Sequence, residues 1–423
     1  MAGKLRTTRH AATALVALAL LTACGSGGAS GSSDGLTWWH NGTQDPLKSV
    51  WDRAAAAYQK AHGGTKITVV PIQNEQFTTK VPLALQSDTP PDIYFNQGGG
   101  LLGTQAQSGR VADLTDLTKG WLGDIGAAAK GWTVDGKQYG VPYDTHVVGF
   151  WYRTDLFQQA GITKPPTTLD ELNADNAALK AHGITPIALG GKDKWPDAFY
   201  YDEFAVRECS VATLKSSITA KKFTDPCFTK AGKDVLDFIA TKPFQDGFNA
   251  TPAQQGVGSS AGMVANGKAA MELQGDWEPS VMKALASDSS FASKLGWFPF
   301  PAVTGAPGDP SVVLGGGDGF SCTVANADKC ADFLSYLDSA EVQRDLVNSG
   351  AAVIPVSPAA AGAIKDPVVK QVYDYNAKAG YVQVYFDIAL PTATGQAMDD
   401  AAANLFAGKG DASSVAQAVN GAG

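Results

Sequence analysis

The apolar positions of this chain change period several times, and the changes mark its elements. Residues 36–39 form a short apolar run that stops at HNGTQDP, a string of turn formers. Over residues 49–62 the period becomes helical. Val50, Ala54, Ala57, Tyr58 and Ala61 fall on one face, and Gly63-Gly64 ends the segment. Residues 66–72 read as a β-branched strand, a helix-like stretch follows, and Pro90-Pro91 introduces a strand at 92–95. The pattern resumes after Tyr139, with a strand at 147–153, a helix at 169–182 and a strand at 184–189. Strand and helix in alternation predict an α/β fold with a mostly parallel sheet.

Open α/β sheets hold ligands beyond the carboxyl ends of their strands. The loops predicted there read HNGTQD, NQGGG, PYDTH, GGKDKWPD, QGDWEP and GGGDG. They are rich in aromatics, amides, carboxylates and glycines and poor in lysine and arginine. An anionic ligand calls for such cations. A neutral polyhydroxylated ligand calls for flat aromatic faces and for hydroxyl-binding amides and carboxylates. Asp276-Trp277-Glu278 adds a second reading, because paired carboxylates hydrolyse glycosidic bonds. On an extended segment the two acids would point the same way, ~7 Å apart. Neighbours on one strand reach opposite sides of a sugar ring poorly. Pro279 also suggests that Glu278 opens a helix, favoured there by the helix dipole, with Asp276 or Trp277 near the N-cap.

At 423 residues two domains are expected. The formal charge is −8, and without the first 23 residues 30 basic face 41 acidic residues, so neither nucleic acid nor an anionic membrane surface is the expected partner. Two G-x-S-x-G matches carry little weight. The one at 31–35 has no strand before it, and in that at 258–262 Ser259 or Ser260 reads as a helix cap. Gly98, Gly100 and Gly103 satisfy G-x-G-x-x-G after a strand, but the acid expected about 20 residues on is missing. Those glycines read instead as a tight turn or a close backbone approach. His40 and His146 both follow strands and would meet only in a cleft. Cys209, Cys227, Cys322 and Cys330 allow three disulfide pairings. Cys209–Cys227 with Cys322–Cys330 is expected, since each closes a short loop. Zinc is not, because no CxxC occurs and no histidine lies near them in sequence.

Lys4, Arg6 and Arg9 precede an apolar run at 11–21, the layout of a signal peptide. Leu21-Thr22-Ala23-Cys24 resembles the lipobox of bacterial lipoproteins. The resemblance implies a signal peptide at 1–23, acylation of Cys24 and a Gly/Ser tether at 24–33.

PPDIYF, YGVPYD followed by GFWYRTDLFQQAGI, PPTTLDEL, NGKAAMELQGDW and GGGDGF, in this order, resemble the extracellular solute-binding proteins of family 1, similar to maltose-binding protein. The resemblance implies a two-lobed α/β fold of periplasmic-binding-protein type II, with a hinge and a ligand cleft between the lobes. It places one lobe at 34–144 and 317–362 and the other at 145–316 and 363–423. It implies a carbohydrate ligand of oligosaccharide size, ABC permease subunits as membrane partners, and a monomer on the outer face of the cytoplasmic membrane. No catalytic residue, cofactor or metal is implied. Carried over by position, Trp39, His40 and Asn41 form a ligand loop, and Asn96 and Gln97 end the next contributing strand. Asp144 and His146 lie where the chain crosses the hinge. Trp195 is an aromatic of the second lobe, and Trp277 is the stacking indole with Asp276 beside it. Gly317 and Asp318 form the glycine-rich return, and Tyr385 and Asp387 a late contact. A polyamine ligand and a secreted glycoside hydrolase are the alternatives.

Overall fold

The computed structural model describes residues 35–63, 65–350 and 354–422. The signal peptide, Cys24 and the Gly/Ser tether expected from sequence lie outside the described residues.

The strand Gly35–His40 alternates strictly, with Leu36, Trp38 and His40 buried. It pairs in parallel with Lys66–Pro71 on one side and Ile93–Asn96 on the other. The helix Leu47–Ala61 packs Val50, Trp51, Ala54, Ala55 and Tyr58 inward. Its buried face is rotated from the expected one, and Ala57 and Ala61 are exposed. The bulk of Trp51 decides this, since its ring meets Trp38 edge-on at 5.4 Å.

Two further strands complete this sheet, and only the first of them reverses its sense. Gly319–Cys322 runs antiparallel to Ile93–Asn96, and Val141–Pro142 runs antiparallel to Gly319–Cys322. The expectation of a mostly parallel sheet therefore holds for only part of it. Gly319–Cys322 returns after the long excursion from residue 142 and enters from the edge where the first strands end.

A second sheet centres on Gly149–Arg153 and Ala269–Gln274, which are antiparallel, with Leu295–Phe298 and Thr185–Ile187 at its edges. A third links Asp144–Val147 with Val312–Gly316 and Ile354–Pro355, and Val312–Gly316 with Tyr381–Val384. The single strand expected at 147–153 is thus two strands in different sheets, parted at Val148. Gly149 sits against the Trp297 indole, where a Cβ would lie 2.5 Å from Nε1, so only a residue with no side chain fits there.

Each of the first two sheets has its own aromatic core. Trp38, Trp51, Tyr94, Phe320 and Phe333 anchor one, and Phe150, Tyr200, Phe204, Phe238 and Phe298 the other. The helix Trp195–Glu208 runs almost wholly buried through the second. Disulfides join Cys209 to Cys227 and Cys322 to Cys330, the local pairing expected from loop length, with Cα atoms 5.3 and 6.0 Å apart. No helix among the described residues is long and apolar enough to cross a membrane.

Candidate functional site

Register brings the predicted loops to common edges. His40 and Asn96 end parallel strands. Gly319 pairs with both Asn96 and Pro142, so Asp318 and Asp144 project from the same edge. In the second sheet Gln274 pairs with Gly149, which sets the QGDW loop beside His146 and Val147. A cleft of about 300 Å³ lies among these loops. Asn41, Asn96, Gln97, Asp144, His146, Trp195, Trp277, Asp318, Tyr385 and Asp387 all line it.

The lining is acidic. Among the described residues, seven aspartate or glutamate residues and no lysine or arginine border the cleft. Burial raises Asp387 to about 6, and it raises Asp399 well above the usual carboxylate range, with Asp387 and Asp202 adding to the effect.

His146 is the centre of the polar network. Its Nδ1 is 2.9 Å from Asp276 Oδ1, and that oxygen also accepts the Val147 N–H. Its Nε2 is 3.2 Å from Asp144 Oδ1 and 3.5 Å from Asp318 Oδ2. Burial lowers the proton affinity of the ring, but Asp144, Asp276 and Asp318 outweigh it and hold the pKa well above that of ordinary histidine. Burial and the carboxylates of Asp318 and Asp276 keep Asp144 well above the usual range, against the pull of His146. Asp318 accepts from Asn41 Nδ2 at 3.0 Å and Gln97 Nε2 at 3.3 Å. These bonds fix the carboxylate before any ligand arrives.

The aromatic wall comes from the second sheet. Trp277 meets His146 edge-on at 4.8 Å and lies 6.3 Å from Trp195 and 6.5 Å from Tyr385. Gly275 makes its orientation possible, since a Cβ there would sit 2.1 Å from the indole. Trp151 Nε1 donates to the Gly275 carbonyl at 2.8 Å and pins this loop from behind.

Four predicted residues do not line the cleft. Trp39 packs against the first core, on the opposite face of its strand from His40. His40 is fully buried, and its Nδ1 accepts the Gly42 N–H at 3.0 Å. Burial lowers its pKa to about 4. Gly317 abuts the backbone, where a Cβ would lie 2.7 Å from the Asp144 carbonyl oxygen. Asp276 sits behind His146. Asn96 does line the cleft, but its side chain is spent on the loop: Oδ1 accepts from the N–H groups of Gln97 and Gly98, and Nδ2 donates to Gln105 and Ser321.

Glu278 opens the helix Glu278–Leu285 after Trp277, as Pro279 suggests. It is the first-turn acid expected there, set in a buried rather than an exposed position. It is fully buried, neither oxygen has a hydrogen-bond partner, and burial with Glu272 nearby raises its pKa well above the usual carboxylate range. Ser259 caps the helix Ser260–Ala265 by accepting from Gly262, so this G-x-S-x-G match is a cap. In the other glycine motif, Gly98 and Gly99 have φ of +72° and +59°, and a Cβ on Gly100 would lie 2.4 Å from the Leu390 carbonyl carbon. The close approach is to the chain itself.

Sequence reasoning missed Phe199, Tyr143 and Gln396 in the lining. Phe199 lies one helical turn beyond Trp195, so i,i+4 spacing was the available signal.

The sequence pattern that defines bacterial extracellular solute-binding proteins matches residues 41–344. Among curated relatives, an uncharacterized ABC transporter extracellular-binding protein of Pyrococcus horikoshii is 25% identical over 259 residues, 58% of this chain and 56% of that protein. The alpha-glucosides-binding periplasmic protein AglE of Rhizobium meliloti is 28% identical over 189 residues, 41% of each chain. The alignments thus span about half the length of these relatives. A solved structure from work on xylan utilization by the thermophilic bacterium Caldanaerobius polysaccharolyticus is 25% identical, with a TM-score of 0.82 over 91% of this chain and 98% of that one. With that fold, that cleft and a match across most of its length, the chain belongs to the bacterial extracellular solute-binding protein family.

Proposed function

We propose that this protein is the lipid-anchored, extracellular substrate-binding component of an ABC importer. It captures a neutral carbohydrate, an oligosaccharide, and delivers it to membrane permease subunits without cleaving it. One observation carries the reading: a cleft bordered by indoles and seven carboxylates, with no lysine or arginine. Ring faces of Trp277 and Trp195 suit the C–H faces of sugars, and the carboxylates and amides suit hydroxyls. The relative that binds alpha-glucosides and the structural neighbour tied to xylan utilization support a saccharide ligand.

The proposed lobes are 34–144 with 317–362, and 145–316 with 363–423. Their support is the change of core partner between Tyr143 and Val148 and again between Leu314 and Phe320. In this reading Asn41, Gln97, Asp144, His146, Asp318 and Asp387 meet hydroxyls, and Tyr385 adds ring surface. Trp39, His40, Gly317 and Asp276 shape the site from behind, and Asn96 holds its loop from within the lining. Binding without cleavage is favoured because Asp276 is engaged by His146 and Glu278 is buried outside the lining. Acylation of Cys24 anchors the chain to the outer face of the cytoplasmic membrane.

A thermal-shift panel on protein freed of co-purified ligand tests this. A ligand that binds only the native state raises the melting temperature. Neutral oligosaccharides are expected to do so, while polyamines and sugar phosphates leave it unchanged. A shift with polyamines and none with any sugar overturns the reading.

A further inference from the structure

We propose that Asp144, His146 and Asp318 form a Zn²⁺ site at the base of the cleft. One ligand atom from each lies within 4.8 Å of the other two. His146 Nδ1 is engaged by Asp276, which leaves Nε2 facing two carboxylates. Nε2 has hydrogen-bond geometry with neither of them, and Asp144 Oδ2 also has no partner, although both residues are about 2% exposed or less. A proton on Nε2 therefore satisfies these acceptors poorly, and a lone pair there would face like charge.

A cation held between the three groups answers both problems. Tetrahedral zinc with bonds of about 2.0–2.2 Å spaces its ligands about 3.3–3.6 Å apart. The two Nε2–oxygen separations are 3.2 and 3.5 Å, and the two carboxylate oxygens lie within 4.8 Å of each other, so a bound ion would draw them together. Asp276 completes a carboxylate–histidine–metal arrangement, because its bond to Nδ1–H fixes the tautomer that leaves Nε2 free to ligate. One nitrogen and two carboxylate oxygens suit a borderline ion such as Zn²⁺ better than a hard one that takes oxygen alone. All three residues border the cleft, from which an ion could enter. Seven acidic residues without lysine or arginine draw a divalent cation to the same place.

Three residues that the transport reading gives to hydroxyls hold the ion here, so a bound ion would stand between them and the sugar; zinc binding itself requires no sugar, and its test is independent of that reading. Full-length protein is stripped with EDTA, dialysed free of chelator and titrated calorimetrically with ZnCl₂ in sugar-free buffer. One Zn²⁺ per chain is expected, and His146→Gln and Asp318→Asn each weaken it about tenfold or more. Asp318 borders the cleft and is the less buried of the two, so Asp318→Asn keeps the test decisive if the histidine variant does not fold. The exposed His182 is a control, and His182→Gln leaves the isotherm unchanged. Absence of Zn²⁺ binding by the wild type overturns the site. So does binding that His182→Gln abolishes, or that Asp318→Asn leaves intact.

Discussion

Single residues decide what the QGDW loop does. Asp276, Trp277 and Glu278 are consecutive, yet the fold sends them to three environments: a buried partner for His146, the cleft wall and a buried helix start. Type and spacing made the indole legible in the sequence. They could not reveal that both flanking acids turn away, because that follows from tertiary burial. His40 shows the same limit. Strand alternation places it inward with Trp38 and away from the ligand loop it precedes. Its burial has a measurable consequence. The folded pKa is near 4 against about 6.5 unfolded, so its contribution is fully present above pH 6.5 and is lost as pH falls toward 4. Protonation also removes the acceptor that holds the Gly42 N–H. His40→Asn keeps an acceptor that does not titrate. Denaturant melts across this window should show the wild type losing up to about 3 kcal/mol more than the variant. Parallel curves for the two proteins would contradict the assignment, as would a change in ligand affinity in the variant.

Elements were legible where a local period or a cap specifies them. The helix Leu169–Ala181 begins at Thr168 with a capping box to Glu171, and its bounds nearly match those expected. The crossing strands were not legible, since a continuous apolar run does not disclose that its two halves pair with different sheets. The glycine-rich turn at 98–100 lies between these cases. Its need for close approach was readable, but its partner, the backbone of Ile388 and Leu390, comes from far along the chain. In the proposed division this contact joins the two lobes. Gly100→Ala is predicted to destabilise the chain by about 1–3 kcal/mol in thermal or denaturant melts, as overpacking does. Gly103→Ala, with nothing within 4 Å of the added carbon, should be neutral or mildly stabilising. Equal effects at the two positions would show that the contact carries no strain.

At the scale of the whole molecule, the two cores are tied by strands that leave one sheet and enter another at Val148 and between Leu314 and Phe320. The cleft forms where those crossings meet the carboxyl ends of the strands, the position that open α/β sheets favour for ligands. His146 and Trp277 hold its floor and wall in contact, so the polar network and the aromatic wall share one support. The scarcity of lysine and arginine in the cleft was readable from loop composition and survives folding. Which loop residues reach the cleft was not, because that depends on the pleat of each strand. The central claim, that Trp277 offers a binding surface to a neutral sugar, is tested most directly by calorimetric titration of Trp277→Ala with an oligosaccharide that stabilises the wild type. Affinity is expected to fall about tenfold or more, as for loss of an aromatic anchor, while the variant keeps a cooperative melt. Unchanged affinity in a folded variant would contradict the account.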